Sequence, residues 1–360
     1  MRTIDDVRSF VVTPLARSTA TMGVTYSKPN PKNKVYDIVV DALRGRTTGD
    51  VVTTTNATNA FEGKTIVITG SSTGLGVEIA KTCAMNGGKV IMLNRPSARA
   101  EEAVKMVGNG AKHVDCDLQS FASTRAAAKR VMEESKGVVD VLILNAGVMA
   151  LPFDATGDGY DVQMQTNVIS HFLLTRELFP ALLKSKHARV VSQSSLAAKM
   201  SVPLRSESFE KAPKCTSWTK STWDVYGQTK LSNLVFTEEL QKRIDAAGVK
   251  NVIAVAAHPG IAATELQVTT SKNPGRGASS GQLAFLSKLG LFQSQADGAT
   301  PSLVAAFGAN VVGGDFYGPS RVFECKGAPK KLVKDKKVTP EACATLWSGC
   351  QAATGISFDI

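Results

Sequence analysis

A short β-branched run, Lys64-Thr-Ile-Val-Ile-Thr69, leads directly into Gly70-Ser-Ser-Thr-Gly74-Leu-Gly76 and then into an apolar helical pattern through Ala84. Few folds accommodate this order. The unbroken apolar run reads as a strand buried on both faces, as in a parallel sheet. The glycines permit a tight turn and let the backbone approach a pyrophosphate, whose charge meets N–H groups and the positive end of the next helix. The candidate contacts are Gly70, Ser72, Thr73, Gly74, Leu75 and Gly76. The spacing is TGxxxGxG rather than the commoner GxGxxG.

The chain then repeats the unit. Lys89-Val-Ile-Met-Leu93 reads as a second strand, and His113 to Leu118 closes a third. Ser120 to Lys136 reads as a helix with a Ser cap and Gly137 as its stop. Val138 to Leu144 is a fourth strand running into Asn145-Ala146-Gly147. Asp158 to Leu183 reads as one long helix carrying Asn167, Arg189 to Ser195 as a fifth strand and its exit, and Asn251 to Ala257 as a sixth. Strands alternating with helices imply a parallel, doubly wound sheet of the Rossmann type, a single α/β domain. Ligands of such sheets sit at the carboxyl ends of the strands. That edge places Asp117-Leu118 beside an adenine, and Asn145, Ala146 and Gly147 beside the cofactor or as a pin between strands. After the second strand, where an acidic residue would accept the 2′-hydroxyl of NAD, the chain has Asn94-Arg95. The planar, permanently charged guanidinium of Arg95 suits a 2′-phosphate and favours NADP(H).

Tyr226-Gly-Gln-Thr-Lys230 lies within a long helical pattern (Val225, Leu231, Leu234, Val235, Leu240), so Tyr226 and Lys230, four apart, share a face. A neighbouring ammonium is expected to pull the phenol from about 10 toward neutrality, where it can donate and accept a proton. His258, before Pro259, reads as a hydrogen-bonded structural group at a strand end.

The glycine turn, Asn145-Ala-Gly147, Asn167, Ser194-Ser195 and Tyr226-xxx-Lys230 occur in the order and spacing of the short-chain dehydrogenase/reductase family. Through His258-Pro-Gly-Ile-Ala-Ala-Thr-Glu265-Leu and Gly313-Gly-Asp-Phe-Tyr-Gly-Pro319 the chain most resembles the retinol-dehydrogenase-like and WW-domain-oxidoreductase-like members. The resemblance covers about 62 to 320, with a weaker match at Leu346-Trp347 and Thr354 to Phe358. It implies Tyr226 as the acid/base, Lys230 as its pKa partner and ribose contact, Ser195 orienting the substrate carbonyl and Asn167 holding a relay water. It also implies Pro259, Gly260, Ile261 and Thr264 around the nicotinamide. Protochlorophyllide reductases share much of this pattern, and Ser195 with the HPG loop favours the retinol-dehydrogenase-like side. An NADP(H)-binding interaction protein without turnover is the alternative of another class; the intact tetrad favours an enzyme. The chain departs from the family at Leu144-Asn145, where two asparagines are usual, and in the 31 positions from Ser195 to Tyr226, longer than in the simplest members.

Residues 1–60, rich in Pro, Thr, Ser and Asn around one amphipathic run (Val35 to Leu43), read as an extension that lies on the main domain or stays mobile. Arg2, Arg8 and Arg17 suggest targeting, against which Asp5 and Asp6 count. The catalytic domain spans 61–320, and 321–360 is an extension with a terminal helix whose lysine-rich start, Arg321 to Lys337, reads as a solvated face. The net charge of +11 comes from scattered residues and carries no nucleic-acid signature, so small anionic ligands are the expected partners. The six cysteines lack metal-ligand spacing, which points to reduced thiols in a cytoplasmic compartment and no metal. No apolar run reaches the roughly 18 residues that span a bilayer. A monomer or homodimer is expected. The segments 196–225 and 261–291 bring Met200, Val202, Leu204, Phe209, Trp218, Trp223, Leu266, Leu283 and Phe285 toward the substrate side. They predict a bulky hydrophobic carbonyl or alcohol substrate under a mobile cover, with 269–281 as the moving loop.

Overall fold

A computed structural model describes residues 34–44, 59–262 and 293–360. The core is an eight-stranded sheet in the order β3-β2-β1-β4-β5-β6-β7-β8. Its strands are β1 (Thr65–Thr69), β2 (Lys89–Asn94), β3 (Lys112–Asp115), β4 (Val141–Leu144), β5 (Ala188–Gln193), β6 (Val252–Ala257), β7 (Phe316–Arg321) and β8 (Lys326–Lys331). The first seven run parallel and β8 pairs antiparallel with β7. The strand order reverses between β1 and β4, which opens a crevice above their carboxyl ends.

The central strands serve two cores because successive side chains alternate faces. Val67, Leu142 and Val190 point toward α4 (Phe121–Glu134), α6 (Ser170–Leu183) and α8 (Thr222–Ala246). Ile66, Ile68 and Val191 point toward α2 (Gly74–Met85) and α9 (Gln295–Phe307). Burial on both faces explains why β1 shows no polar alternation. The amphipathic run near the N-terminus is α1 (Lys34–Leu43), which buries Val39, Val40 and Leu43 in the second core. Helix α3 (Ala98–Val107) comes after β2, capped by Ser97, whose hydroxyl accepts from the Ala100 N–H.

Two segments differ from the sequence expectation, and a third, the C-terminal extension, has the terminal helix expected of it. The helix holding Asn167 begins only at α5 (Val162–Met164), passes through a π-turn at Gln165–Ile169 and continues as α6; Asp161, not Asp158, caps it, accepting from the Gln163 and Met164 N–H groups. Arg321 to Lys337 is not merely a solvated face, because it supplies β8. In the C-terminal segment α10 (Pro340–Thr354) inserts Leu346, Trp347 and Cys350, with Phe358 beyond it, into the first core. Trp347 stacks on Phe358 at 5.1 Å, meets the edge of Phe172 at 5.0 Å and lies under the Arg243 guanidinium at 4.2 Å.

The segment from Leu196 to Val225 holds α7 (Ala197–Met200) and 3₁₀ turns at Ser206–Phe209 and Lys214–Thr216. Phe209 is buried, and Leu204 and Trp218 pack against the first core, so these three bind the segment to the domain rather than line a substrate cover. Thr264, Leu266, Leu283, Phe285, the 269–281 loop and the candidate targeting residues lie outside the described residues.

Candidate active site

A cleft of about 870 Å³ runs along the carboxyl ends of the strands. By the strand order, one end is framed by Arg95, Asp117 and Leu118 after β2 and β3, the middle by Gly70, Ser72, Thr73, Gly74, Leu75 and Gly76 after β1 with Asn145, Ala146 and Gly147 after β4, and the far end by Ser195, Tyr226, Lys230, Pro259 and Gly260. Of the expected site residues that are described, Asn167 and Ile261 are not on its wall; Asn167 is bonded to the wall residue Val148, and Ile261 follows the wall residue Gly260 and bonds Cys325 and Gln293.

The turn after β1 works through missing side chains. A Cβ at Gly76 would stand 2.2 Å from the Gly70 carbonyl oxygen, and one at Gly70, whose φ is +67°, would stand 2.7 Å from the Ala146 Cα. Thr73 at the N-cap of α2 makes no side-chain cap bond, which leaves the first-turn N–H groups of α2 directed into the cleft. Asn145 closes the opposite wall, its Nδ2 donating to the carbonyls of Thr69 and Gly70 at 3.0 Å. It therefore pins β4 to β1. Asn94, read from sequence only as lacking an acidic charge, also shapes the turn, since its Oδ1 accepts the Ser71 N–H at 2.7 Å. Arg95 is exposed at the cleft edge, with Arg99 also on the wall. Arg99 lies in the first turn of α3, after the loop that holds Arg95, and no spacing in the sequence links the two.

At the far end α8 presents Tyr226 and Lys230 on one face. Both are buried, and the Lys230 ammonium sits 5.7 Å from the centre of the Tyr226 ring. Its hydrogen bond goes to the Gln193 carbonyl at 3.0 Å, and Ser194 Oγ donates to the Lys230 carbonyl at 2.8 Å, so β5 and α8 are tied at this point. The expected drop in the phenol's pKa is overturned for the protein groups alone. Burial pushes Tyr226 up to about 12, offset only partly by its bond with the Ser195 hydroxyl. Burial likewise lowers Lys230 to about 8. Desolvation of the two buried groups outweighs the pull of a neighbouring ammonium.

Asn167, completely buried in the π-turn, uses its side chain fully. Its Oδ1 accepts the Val148 N–H at 2.8 Å, and its Nδ2 donates to the Val148 carbonyl at 2.9 Å and to Thr229 Oγ1 at 3.0 Å. The amide is thus a brace joining the exit of β4 to α8. His171, one turn on, links the Asn167 carbonyl (3.1 Å) to Thr69 Oγ1 (3.0 Å). Thr166 and Gln193 also line the cleft, and nothing in the sequence pattern distinguishes them. Each keeps a buried side-chain atom without a hydrogen-bond partner, Thr166 Oγ1 and Gln193 Nε2. His258 is 1% exposed and hydrogen-bonded to Gly260 N–H and Glu324. Among the described residues there is no cluster of metal-ligating side chains, and no helix is long and apolar enough to cross a membrane.

The short chain dehydrogenase family model matches residues 64–207. Retinol dehydrogenase 13 of Mus musculus is 32% identical over 305 residues, covering 82% of this chain and 85% of its own. Retinol dehydrogenase 12 of Mus musculus is 36% identical over 221 residues, covering 60% of this chain and 66% of its own. For Retinol dehydrogenase 13 of Homo sapiens the identity is 36% over 214 residues and the covered share of its length 60%. The chain thus spans slightly under two thirds of the length of these last two relatives. Among solved structures, an uncharacterized protein from Mycobacterium paratuberculosis superposes with a TM-score of 0.66 at 31% identity, over 83% of this chain and 96% of that one. A short chain dehydrogenase from Burkholderia cenocepacia in complex with NADP has the same fold (TM-score 0.55, 24% identity, 72% of this chain and 96% of that one). With the glycine turn, the Asn145 pin and the Ser195, Tyr226 and Lys230 cluster on one cleft, and with identity above 30% across most of a full-length relative, the chain belongs to the short-chain dehydrogenase family.

Proposed function

We propose that the protein is an NADP(H)-dependent oxidoreductase that interconverts a carbonyl and an alcohol on a bulky hydrophobic substrate. The observation that carries this reading is the convergence of Ser195, Tyr226 and Lys230 at one end of a cleft that has a glycine-shaped helix N-terminus in its middle and Arg95 beyond it, at the other end. The donor set fits a dinucleotide. The first-turn N–H groups of α2 meet a pyrophosphate, Arg95 a 2′-phosphate, Asp117 an adenine, and Lys230 a ribose hydroxyl. When bound, the nicotinamide supplies the hydride chemistry.

The protein manages the proton and the geometry. Burial keeps the Tyr226 phenol protonated at neutral pH, so it is ready to donate to a carbonyl oxygen that receives charge, and Ser195 Oγ holds that oxygen in place. Lys230, anchored on the Gln193 carbonyl, supplies a positive field at the ring of Tyr226 that favours the phenolate once the proton has left. Asn167 keeps the β4 exit and α8 in register so that these groups stay aligned.

Retinol dehydrogenase relatives, the apolar Val148 and Met149 on the cleft wall, and the exposed Met200 and Val202 after Ser195 support a hydrophobic substrate. Each buried methylene adds about 0.8 kcal/mol. Aliphatic aldehydes from about three to twelve carbons, reduced with NADPH and followed by loss of nicotinamide absorbance, should therefore show kcat/KM climbing with length until the pocket is full. A flat series would sink the hydrophobic assignment, and no turnover of any aldehyde, ketone or retinoid would sink the enzymatic one. We place the enzyme in a reducing, cytoplasm-like compartment, a reading supported by six unpaired cysteines.

Cofactor choice has its own test. A charge-assisted bond contributes about 1.5 to 3 kcal/mol, so Arg95→Ala should weaken NADPH binding roughly 10- to 100-fold and leave NADH nearly unchanged. Parallel losses for the two in a fluorescence titration would show that Arg95 does not read the phosphate.

A further inference from the structure

The tip of the β7–β8 hairpin is built in an uncommon way. Val322, Phe323 and Glu324 all have left-handed backbones, with φ of 49°, 53° and 65°. Three consecutive non-glycine residues in that region are rare, and a β-branched one is an outlier. Such conformations persist where surrounding contacts over-determine them, and they concentrate at functional sites. Here the contacts lead to the cleft.

Glu324 faces two segments at once. Its Oε1 takes the Lys199 ammonium at 2.6 Å and its Oε2 lies 3.2 Å from His258 Nε2. Lys199 belongs to α7, immediately after Ser195, and the Ala197 N–H donates to Ser195 Oγ at 3.3 Å. His258 opens the loop whose Pro259 and Gly260 wall the far end of the cleft. The Gly260 N–H donates to His258 Nδ1 at 3.1 Å, so the ring's own proton sits on Nε2 and is given to Glu324. The imidazole is shut in: a Cβ at Gly318 would stand 2.2 Å from Nε2, and the Phe316 ring is 5.4 Å away. The loop also meets the hairpin tip directly. The Ile261 N–H donates to the Cys325 carbonyl at 2.8 Å, and at Gly260, with φ of +65°, a Cβ would strike that same oxygen at 2.2 Å.

We propose that Glu324 is a positioning residue: through His258 it sets the Pro259-Gly260 loop against the nicotinamide half of the cofactor. This rests on the reading that the cleft takes a nicotinamide dinucleotide. The left-handed tip is the conformation that lets one carboxylate reach both segments. Without the carboxylate the Nε2–H of His258 lacks its acceptor, the ring turns, and Gly260 loses the bond that orients it.

The test is a fluorescence titration of the full chain with NADPH, and a competition titration with 2′-phospho-ADP-ribose, which carries the adenosine and phosphate groups but no nicotinamide. Glu324→Ala is expected to weaken NADPH about tenfold and the fragment less than twofold. Glu324→Gly relieves the left-handed backbone while deleting the carboxylate, so it guards against a folding failure, and it should behave like the alanine variant. Glu324→Gln still accepts from Nε2–H and should stay within about twofold of wild type for NADPH. Because the effect runs through His258, adding Glu324→Ala to His258→Ala should cost no further affinity. The proposal is overturned if the Ala and Gly variants bind NADPH like wild type, if the fragment weakens in parallel, if Gln is as poor as Ala, or if the two alanine effects add. Failure of the wild-type protein itself to bind NADPH or NADH would instead bring down the functional reading beneath it.

Discussion

Tyr226→Phe should lower kcat by about a thousandfold while leaving the affinity for NADPH within about twofold of wild type. The substitution deletes one oxygen and one proton from a ring that α8 and Trp223, 5.9 Å away, continue to hold. General acid catalysis by a positioned group contributes about 10²- to 10⁴-fold, and the phenol is the group in the cleft that holds a proton at neutral pH next to Ser195. The proposed cofactor contacts run through the glycine turn, Arg95 and Lys230, which the change does not touch. Stopped-flow reduction at saturating NADPH, paired with a binding titration, separates the two quantities. A variant retaining more than a few per cent of kcat would remove Tyr226 from the role of acid.

Trp347→Ala should be the most destabilising single change in the C-terminal segment, costing about 3 to 5 kcal/mol. Its ring is enclosed by Phe172, Phe236, Phe358 and the Arg243 guanidinium, and a cavity there opens beneath both α6 and α8. A loss of that size corresponds to a fall in melting temperature of roughly 10 °C in a domain this large. Trp347→Phe is the informative contrast. It also removes an indole N–H that is buried without a partner, so part of the volume loss is offset and the cost should be about 1 to 2 kcal/mol. Melting curves in which the Ala and Phe variants coincide would show that the ring is not packed as described.

How legible each element is in the residues depends on what holds it in place. Strands β1, β2 and β4 to β6 are nearly or wholly buried and carry runs of Val, Ile and Leu, a signal that survives without context. Tyr226 and Lys230 are four apart on a helix whose apolar period continues on both sides, so their common face can be read directly. Strand β8, Lys-Gly-Ala-Pro-Lys-Lys, has no apolar alternation; its strand character comes from pairing with β7 and is invisible before that partner is known. The π-turn at Asn167 is equally hidden, because an amide's hydrogen bonds to Val148 and Thr229 depend on tertiary neighbours. The direction of the Tyr226 pKa escapes sequence reasoning for a related reason. Sequence spacing shows that an ammonium is close, but not whether water is excluded from both groups. Phe209, Leu204 and Trp218 resemble substrate contacts because an apolar side chain in an inserted segment looks the same whether it faces a ligand or the core.

The composition that hides β8 also governs how the sheet ends. An open edge strand presents unpaired backbone groups to which any extended chain can add, the usual route to edge-to-edge aggregation. On β8 a newcomer meets the exposed Lys330, whose charge repels its own copy, and Pro329, which offers no N–H. At the opposite edge β3 is only four residues long and starts at Lys112, itself paired with Glu134 at 2.6 Å. Among the described residues, both margins of a large and mostly apolar sheet are thus poor templates for growth, a composition that disfavours fibrous self-association.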